Sequence, residues 1–256
     1  MFKYILSILL LVSIHDITGQ VNIESQRMQL DSTLFALRGD IMFNYSNTNG
    51  DYLFQIRPSL TTSFKTKDLK KIFFITGNYN LVRSEDVDFQ NSWFFHLRYN
   101  QKISQVVRFE AFIQNQNNEL FTINSRNLIG AGIRFKFVDS EAFNGYLGNS
   151  YMYEIEKVDI LNETYYGHRH NTYLSLTFNI KNDDSRTVLE LTNTTYFQPL
   201  YSDLGNHRIL QELRADVPLN EHLSISTLFD YLYNSFAPNG EKDSSAYLSF
   251  GLSVNL

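Results

Sequence analysis

The sequence predicts an all-β chain that closes into a single antiparallel transmembrane β-barrel of about twelve strands. An apolar–polar alternation with period two runs along most of the chain, an export signal precedes it, and no later apolar run is long enough for a membrane-spanning helix. Alternation places successive side chains on opposite faces of a strand. In a membrane barrel one of those faces meets lipid and the other lines the lumen.

The N-terminus opens with Lys3 and the apolar run from Ile5 to Val12, and Ile17 and Gly19 offer a cleavage position before Gln20. Residues 1–19 therefore read as a signal peptide. The run is far shorter than the ~20 residues of a spanning helix. Residues 20–33 read as a short periplasmic segment and residues 34–256 as the barrel.

Within the barrel, residues 34–46 and 51–63 form the first predicted hairpin. Pro58 removes one ladder donor inside the second strand, which a bulge or weaker pairing would accommodate. Residues 71–83 and 91–100 follow, with Trp93, Phe95, Leu97 and Tyr99 set against Phe94, His96 and Arg98. After 105–116 comes 127–138, where Ile129, Ala131, Ile133, Phe135 and Phe137 alternate with Gly130, Gly132, Arg134 and Lys136. The remaining strands are 143–156, 168–180, 186–197, 206–217, 222–234 and 244–256. All exceed the ~5–6 residues usual in soluble sheets and suit tilted strands crossing a bilayer. With a periplasmic N-terminus, links near 65–70, 101–104, 139–143, 181–185 and 218–221 are short. Those at 84–89, 117–125, 157–166, 198–205 and 236–244 are mostly longer and rich in Asn, Asp and Gly, as in outer-membrane barrels.

The chain is polar on average yet 15% aromatic, too aromatic for disorder. Tyr45, Tyr52, Phe54, Phe73, Tyr79, Trp93, Phe95, Tyr99, Phe109, Phe137, Tyr151, Tyr153, Phe197 and Phe250 fall on apolar faces, where amphipathic rings form interfacial girdles. A soluble β-sandwich core alternates too, but the strand lengths and the export signal speak against it.

The polar faces place Arg38, Asp40, Arg57, His96, Arg98, Arg108, Glu110, Arg134, Lys136, Glu154, Glu156, Arg169, Glu190, Glu212, Arg214 and Asp230 in the lumen. Both signs are interleaved, and unpaired charge in a confined interior is costly, so these side chains are expected to pair across strands and narrow the lumen. Their expected role is structural or selective, not catalytic.

Other chemistries find little support. Without Cys the chain has no disulfide, thiolate metal site, Cys nucleophile or lipid-anchored N-terminal Cys. A net charge of -5, from 22 Lys and Arg against 27 Asp and Glu, comes with no basic stripe, so no nucleic-acid partner is expected. His168 and His170 share a strand face and could join Glu154 or Glu156 in a metal site. Their parity with Leu174 and Leu176 instead reads as interfacial histidine, and neither a metal nor a cofactor is predicted. His96, His207 and His222 have hydroxyl residues nearby in sequence but in no hydrolase motif, so no catalytic residue is assigned. Lys65, Lys67, Lys70 and Lys71 read as one solvated periplasmic turn.

The closing Ser249-Phe250-Gly251-Leu252-Ser253-Val254-Asn255-Leu256 resembles the C-terminal assembly signal of outer-membrane barrels. It implies the barrel-assembly machinery as a partner, beside the lipid bilayer and an envelope protein partner of unspecified identity. Residues 127–135, Leu213-Arg214-Ala215-Asp216-Val217-Pro218-Leu219 with Leu223-Ser224-Ile225, and Phe250-Gly251-Leu252 resemble the domain of unknown function 481 family, also called salt-induced outer membrane proteins. The resemblance runs from about Arg108 to Leu256 and implies a single barrel with no defined catalytic residues. The expected function is thus a non-enzymatic integral protein of the Gram-negative outer membrane, envelope-structural or a subunit of an envelope assembly. A narrow channel for small solutes and a lipid-modifying enzyme are the alternatives.

Overall fold

The computed structural model describes residues 33–48, 51–84, 90–118, 123–158, 163–235 and 243–256. The signal peptide expected at 1–19 and most of the segment expected at 20–33 lie outside the described residues. Twelve strands follow one another: β1 (Phe35–Thr48), β2 (Asp51–Lys65), β3 (Lys71–Ser84), β4 (Gln90–Lys102), β5 (Val107–Asn118), β6 (Ile123–Asp139), β7 (Phe143–Val158), β8 (Glu163–Lys181), β9 (Thr187–Leu200), β10 (Asp203–Pro218), β11 (Leu223–Asn234) and β12 (Asp243–Asn255). Each pairs antiparallel with its sequence neighbours, and β1 pairs with β12 to close the barrel.

The two faces are inverted relative to a soluble protein. Large apolar side chains point outward all round the wall, with Ile129 57%, Phe250 56% and Leu60 57% exposed, while Arg, Asp, Glu, Asn and Thr side chains are buried inside. An apolar belt of this extent on a soluble surface would be an aggregation hazard; facing acyl chains it is the stable arrangement.

The ends of the barrel differ. One end, the turn side, carries tight turns held by short polar side chains. At residues 66–70 Thr66 and Asp68 bond each other, Asp68 accepts from the Lys70 amide at 3.1 Å, and Leu69 takes a left-handed φ of 55°. The Thr66 hydroxyl and the Lys70 amide hold the Asp68 carboxyl below its ordinary range. The Asn220 side chain likewise accepts from the His222 and Leu223 amides at 2.8 and 2.9 Å. On the opposite, loop side the strands run further than the alternation alone suggests. β8 starts at Glu163 and continues for 19 residues, and β9 and β10 leave only Tyr201 and Ser202 between them. At about 3.3 Å per residue β8 outreaches the hydrocarbon layer and projects beyond it, so the expected difference between short turns and long loops is small here.

Pro58 sits in register with Ile41 of β1. On its β3 side the ladder passes from Ile56↔Leu81 to Ser59↔Asn78 without a register shift and without pairs between them. The missing donor is absorbed by locally weaker pairing, with no bulge. The closing seam is the shortest ladder, running only from Arg38↔Asn255 to Phe43↔Phe250 although β1 continues to Thr48.

Candidate functional site in the barrel lumen

Alternation sends every second side chain of all twelve strands inward, and the decisive geometry is bonding between strands that are not neighbours. Arg57 on β2 donates to Asp230 on β11 at 2.9 Å, and Tyr173 on β8 donates to Glu110 on β5 at 2.7 Å. Such bonds can only cross the interior.

Three clusters fill it. On the loop side, Glu154 of β7 accepts from Arg126 Nη2 at 2.7 Å, Arg169 Nε at 2.6 Å and Arg208 Nη1 at 2.8 Å. Glu156 pairs with Arg208 Nη2 at 3.1 Å and Arg126 Nε at 3.4 Å. Arg169 also donates to the Gln198 carbonyl at 3.1 Å and to Asn206 Oδ1 at 3.0 Å. Two carboxylates against three guanidiniums leave this cluster one positive charge in excess.

A second cluster is centred on Glu110, which takes Arg98 at 3.3 Å and Arg134 at 3.7 Å beside the Tyr173 hydroxyl. Arg134 lies 3.8 Å over the Tyr146 ring, a cation–π contact that supports the guanidinium from its other face. His96 is stacked between Phe94 and Phe112. Because the Arg98 Nε at 3.4 Å can only donate, His96 Nε2 accepts and Nδ1 carries the proton toward Gln114 Oε1 at 3.1 Å.

The third cluster lies against the closing seam. Arg214 of β10 donates to Asp40 of β1 at 2.7 Å, to Ser253 of β12 at 2.7 Å, to Ser226 of β11 at 3.2 Å and to Asp216 at 2.9 Å. Arg38 closes the ring with Asp40 at 3.0 Å and Asp216 at 2.8 Å. Two acids and two bases balance, and Arg214 and Asp40 are each only 2% exposed. Beside this cluster Glu212 and Asp230 stand opposite each other across β10 and β11.

The structure thus places Arg38, Asp40, Arg98, Glu110, Arg134, Glu154, Glu156, Glu212 and Arg214 in the buried interior, with Arg57 half-buried beside Asp230. Lys136 is at the turn-side rim, paired with Asp139, and Arg108 lies in the wall of a turn-side cavity. Three buried charges, Arg126, Arg208 and Asp216, were missing from the expected set. Arg208 and Asp216 share the parity of Glu212 and Arg214, and Arg126 that of Arg134, so the alternation carried the signal; Arg126 escaped because its strand begins earlier than expected. His168 and His170 face outward into an aromatic cluster, with His168 bonded to Tyr151 and His170 bonded to Tyr201 at 3.1 Å. Glu154 and Glu156 point the opposite way, so they cannot complete a metal site with these histidines. Among the described residues no group of three potential metal ligands occurs.

The cavity, about 920 Å³, opens at the turn side and is lined by residues from β1 to β3 and β5 to β12. At its rim Lys181 donates to Glu141 at 2.8 Å and holds that carboxyl below its ordinary range.

An apolar outer wall, a charged interior and full closure define an outer-membrane β-barrel. The chain belongs to the family described as protein of unknown function, DUF481, whose model matches residues 56–256. The match begins within β2, well before the stretch from about Arg108 where the resemblance in sequence starts. No curated protein matches the chain. Among solved structures it is similar to the COG4313 outer membrane channel from Pseudomonas putida F1, with a TM-score of 0.54 and 6% identity over 90% of this chain and 98% of that one. It is also similar to the NanC porin, with a TM-score of 0.50 and 12% identity over 86% and 98%. The translocator domain of autotransporter NalP from Neisseria meningitidis gives 0.49 and 12% over 86% of each chain. At these identities the likeness is one of fold.

Proposed function

We propose that the protein is a closed, non-enzymatic barrel of the Gram-negative outer membrane that serves as a structural element or as a subunit of an envelope assembly. Its first 19 residues direct export, and its C-terminal strand engages the assembly machinery. The observation that carries the closed reading is that Thr61, Thr76, Thr194, Ser226 and Ser253, inward-facing on five strands, have no exposed surface at all. Polar side chains lining an open pore would be wetted; here Ser226 and Ser253 are bonded into the Arg214 cluster, and Thr61 and Thr194 bond Thr76 and Ser175 on the neighbouring strands. The lumen opens into a cavity on the turn side.

Reconstitution of the full chain into planar bilayers tests this. The expected trace is flat. Stable, porin-sized conductance steps that disappear when the barrel is heat-unfolded would replace the closed reading with the channel one.

A further inference from the structure

We propose that the turn-side cavity is a binding site for a small zwitterion, a molecule with a carboxylate at one end and an ammonium group at the other. This goes beyond the closed-barrel reading and stands whether or not solutes cross the lumen.

Two half-buried charged side chains in the cavity wall make no direct ion pair with the clusters. Arg108 on β5 is half-buried, and its Nη1 is buried without a hydrogen-bond partner among the described residues. Its register leaves it no acceptor, because the residues opposite it are Lys102 on β4 and Arg134 on β6. Glu190 on β9 is the mirror case. Opposite it are Asn179 and Asp216, and Asp216 is already committed to Arg38 and Arg214. The Glu190 carboxylate makes no hydrogen bond or ion pair among the described residues.

These two unpaired charges of opposite sign share one cavity and do not meet. β5 and β9 are separated by β6, β7 and β8, and at about 4.8 Å per strand their backbones lie too far apart for the two side chains to touch. Arg108 is flanked by Lys102 and Arg134, and Glu190 by Asp216 with the Arg38 and Arg214 guanidiniums in electrostatic reach but bonded to other acids, so one wall presents an unbonded cation and another an unbonded carboxylate. A half-buried charge without a counter-ion is unfavourable, and a ligand of one sign would relieve one wall and leave the other as it was. A zwitterion relieves both and leaves the net charge of the cavity unchanged. Phe74, Ile72 and Tyr146 supply apolar surface for the body of such a molecule, and Asn144 and Thr187 supply hydrogen-bonding groups.

Titration calorimetry on the full chain in lipid nanodiscs decides the matter, with glycine, γ-aminobutyrate and ε-aminocaproate as a ladder of charge separations. Caproate and hexylamine serve as single-charge controls. One member of the ladder is expected to bind at least about tenfold more tightly than either control, and Arg108→Gln and Glu190→Gln are each expected to erase that advantage. Resistance of the variants to unfolding in detergent before heating verifies that they are folded barrels. The proposal is overturned if either single-charge control binds as well as the best member of the ladder, if no member of the ladder binds, or if the advantage survives either substitution in folded protein.

Discussion

Leu69 holds a left-handed backbone that non-glycine residues seldom adopt, and the carboxylate of Asp68 keeps the turn in place by bonding Thr66 and the Lys70 amide. The Asp68 carboxyl is depressed in the folded state, so its contribution is fully present above the unfolded carboxylate value of about 3.9 and disappears as pH falls through the lower folded value. A pH titration of the Lys70 amide resonance should therefore show a midpoint below that value, returning toward it in Thr66→Val; an unchanged midpoint in the variant would sink this account. At this scale parity told more than residue type. Arg208 and Asp216 lie on the lumen face by simple alternation with Glu212 and Arg214. What parity does not supply is partnership: that Arg57 meets Asp230 and Tyr173 meets Glu110 depends on which strands a closed ring brings face to face.

Strands were the most legible elements, because an alternation sustained over a dozen residues has no helical counterpart. Their loop-side ends were not, since β6 and β8 carry the ladder through Asn-, Thr- and His-containing segments whose composition suggests a loop. Composition measures local preference, whereas a neighbouring strand that continues offers backbone partners worth more than that preference. The seam between β1 and β12 is the element with least to spare. A Cβ on Gly251 would lie 2.0 Å from the Ile41 carbonyl oxygen, whereas one on Gly39 would meet nothing within 4 Å. Gly251→Ala should cost on the order of 1–3 kcal/mol and lower the temperature at which the compact band is lost in unheated gels. Gly39→Ala should leave that temperature within experimental scatter; equal losses in the two variants would mean that the close approach at Gly251 is unimportant.

For the molecule as a whole, the decisive residue is Arg214, whose hydrogen bonds reach β1, β11 and β12 from β10. Removing one partner from a buried charge network costs about 3–5 kcal/mol because the acids left behind stay buried. Arg214→Ala should therefore shift the urea unfolding equilibrium in detergent by roughly that amount; a change below about 1 kcal/mol would show that the cluster is held by something else. Closure itself was legible from an even number of long strands, and the outward aromatics from the polar average of an aromatic-rich chain. The packing of the interior was legible only in part. Interleaved charges of both signs foretold pairing, but the complete burial of Thr61, Thr76, Thr194, Ser226 and Ser253 depends on barrel diameter, which no single strand encodes.

The cluster at the seam also ties the alignment of the closing strands to buried charge. Its members come from the first strand and the last three, so it cannot assemble until the chain ends are side by side. If β12 slipped by one residue against β1, Ser253 would turn toward lipid and Val254 would enter the space beside Asp40 and Arg214. A one-residue misalignment would thus strand two charges against a valine, so the buried bonds of this cluster hold the two chain ends in register.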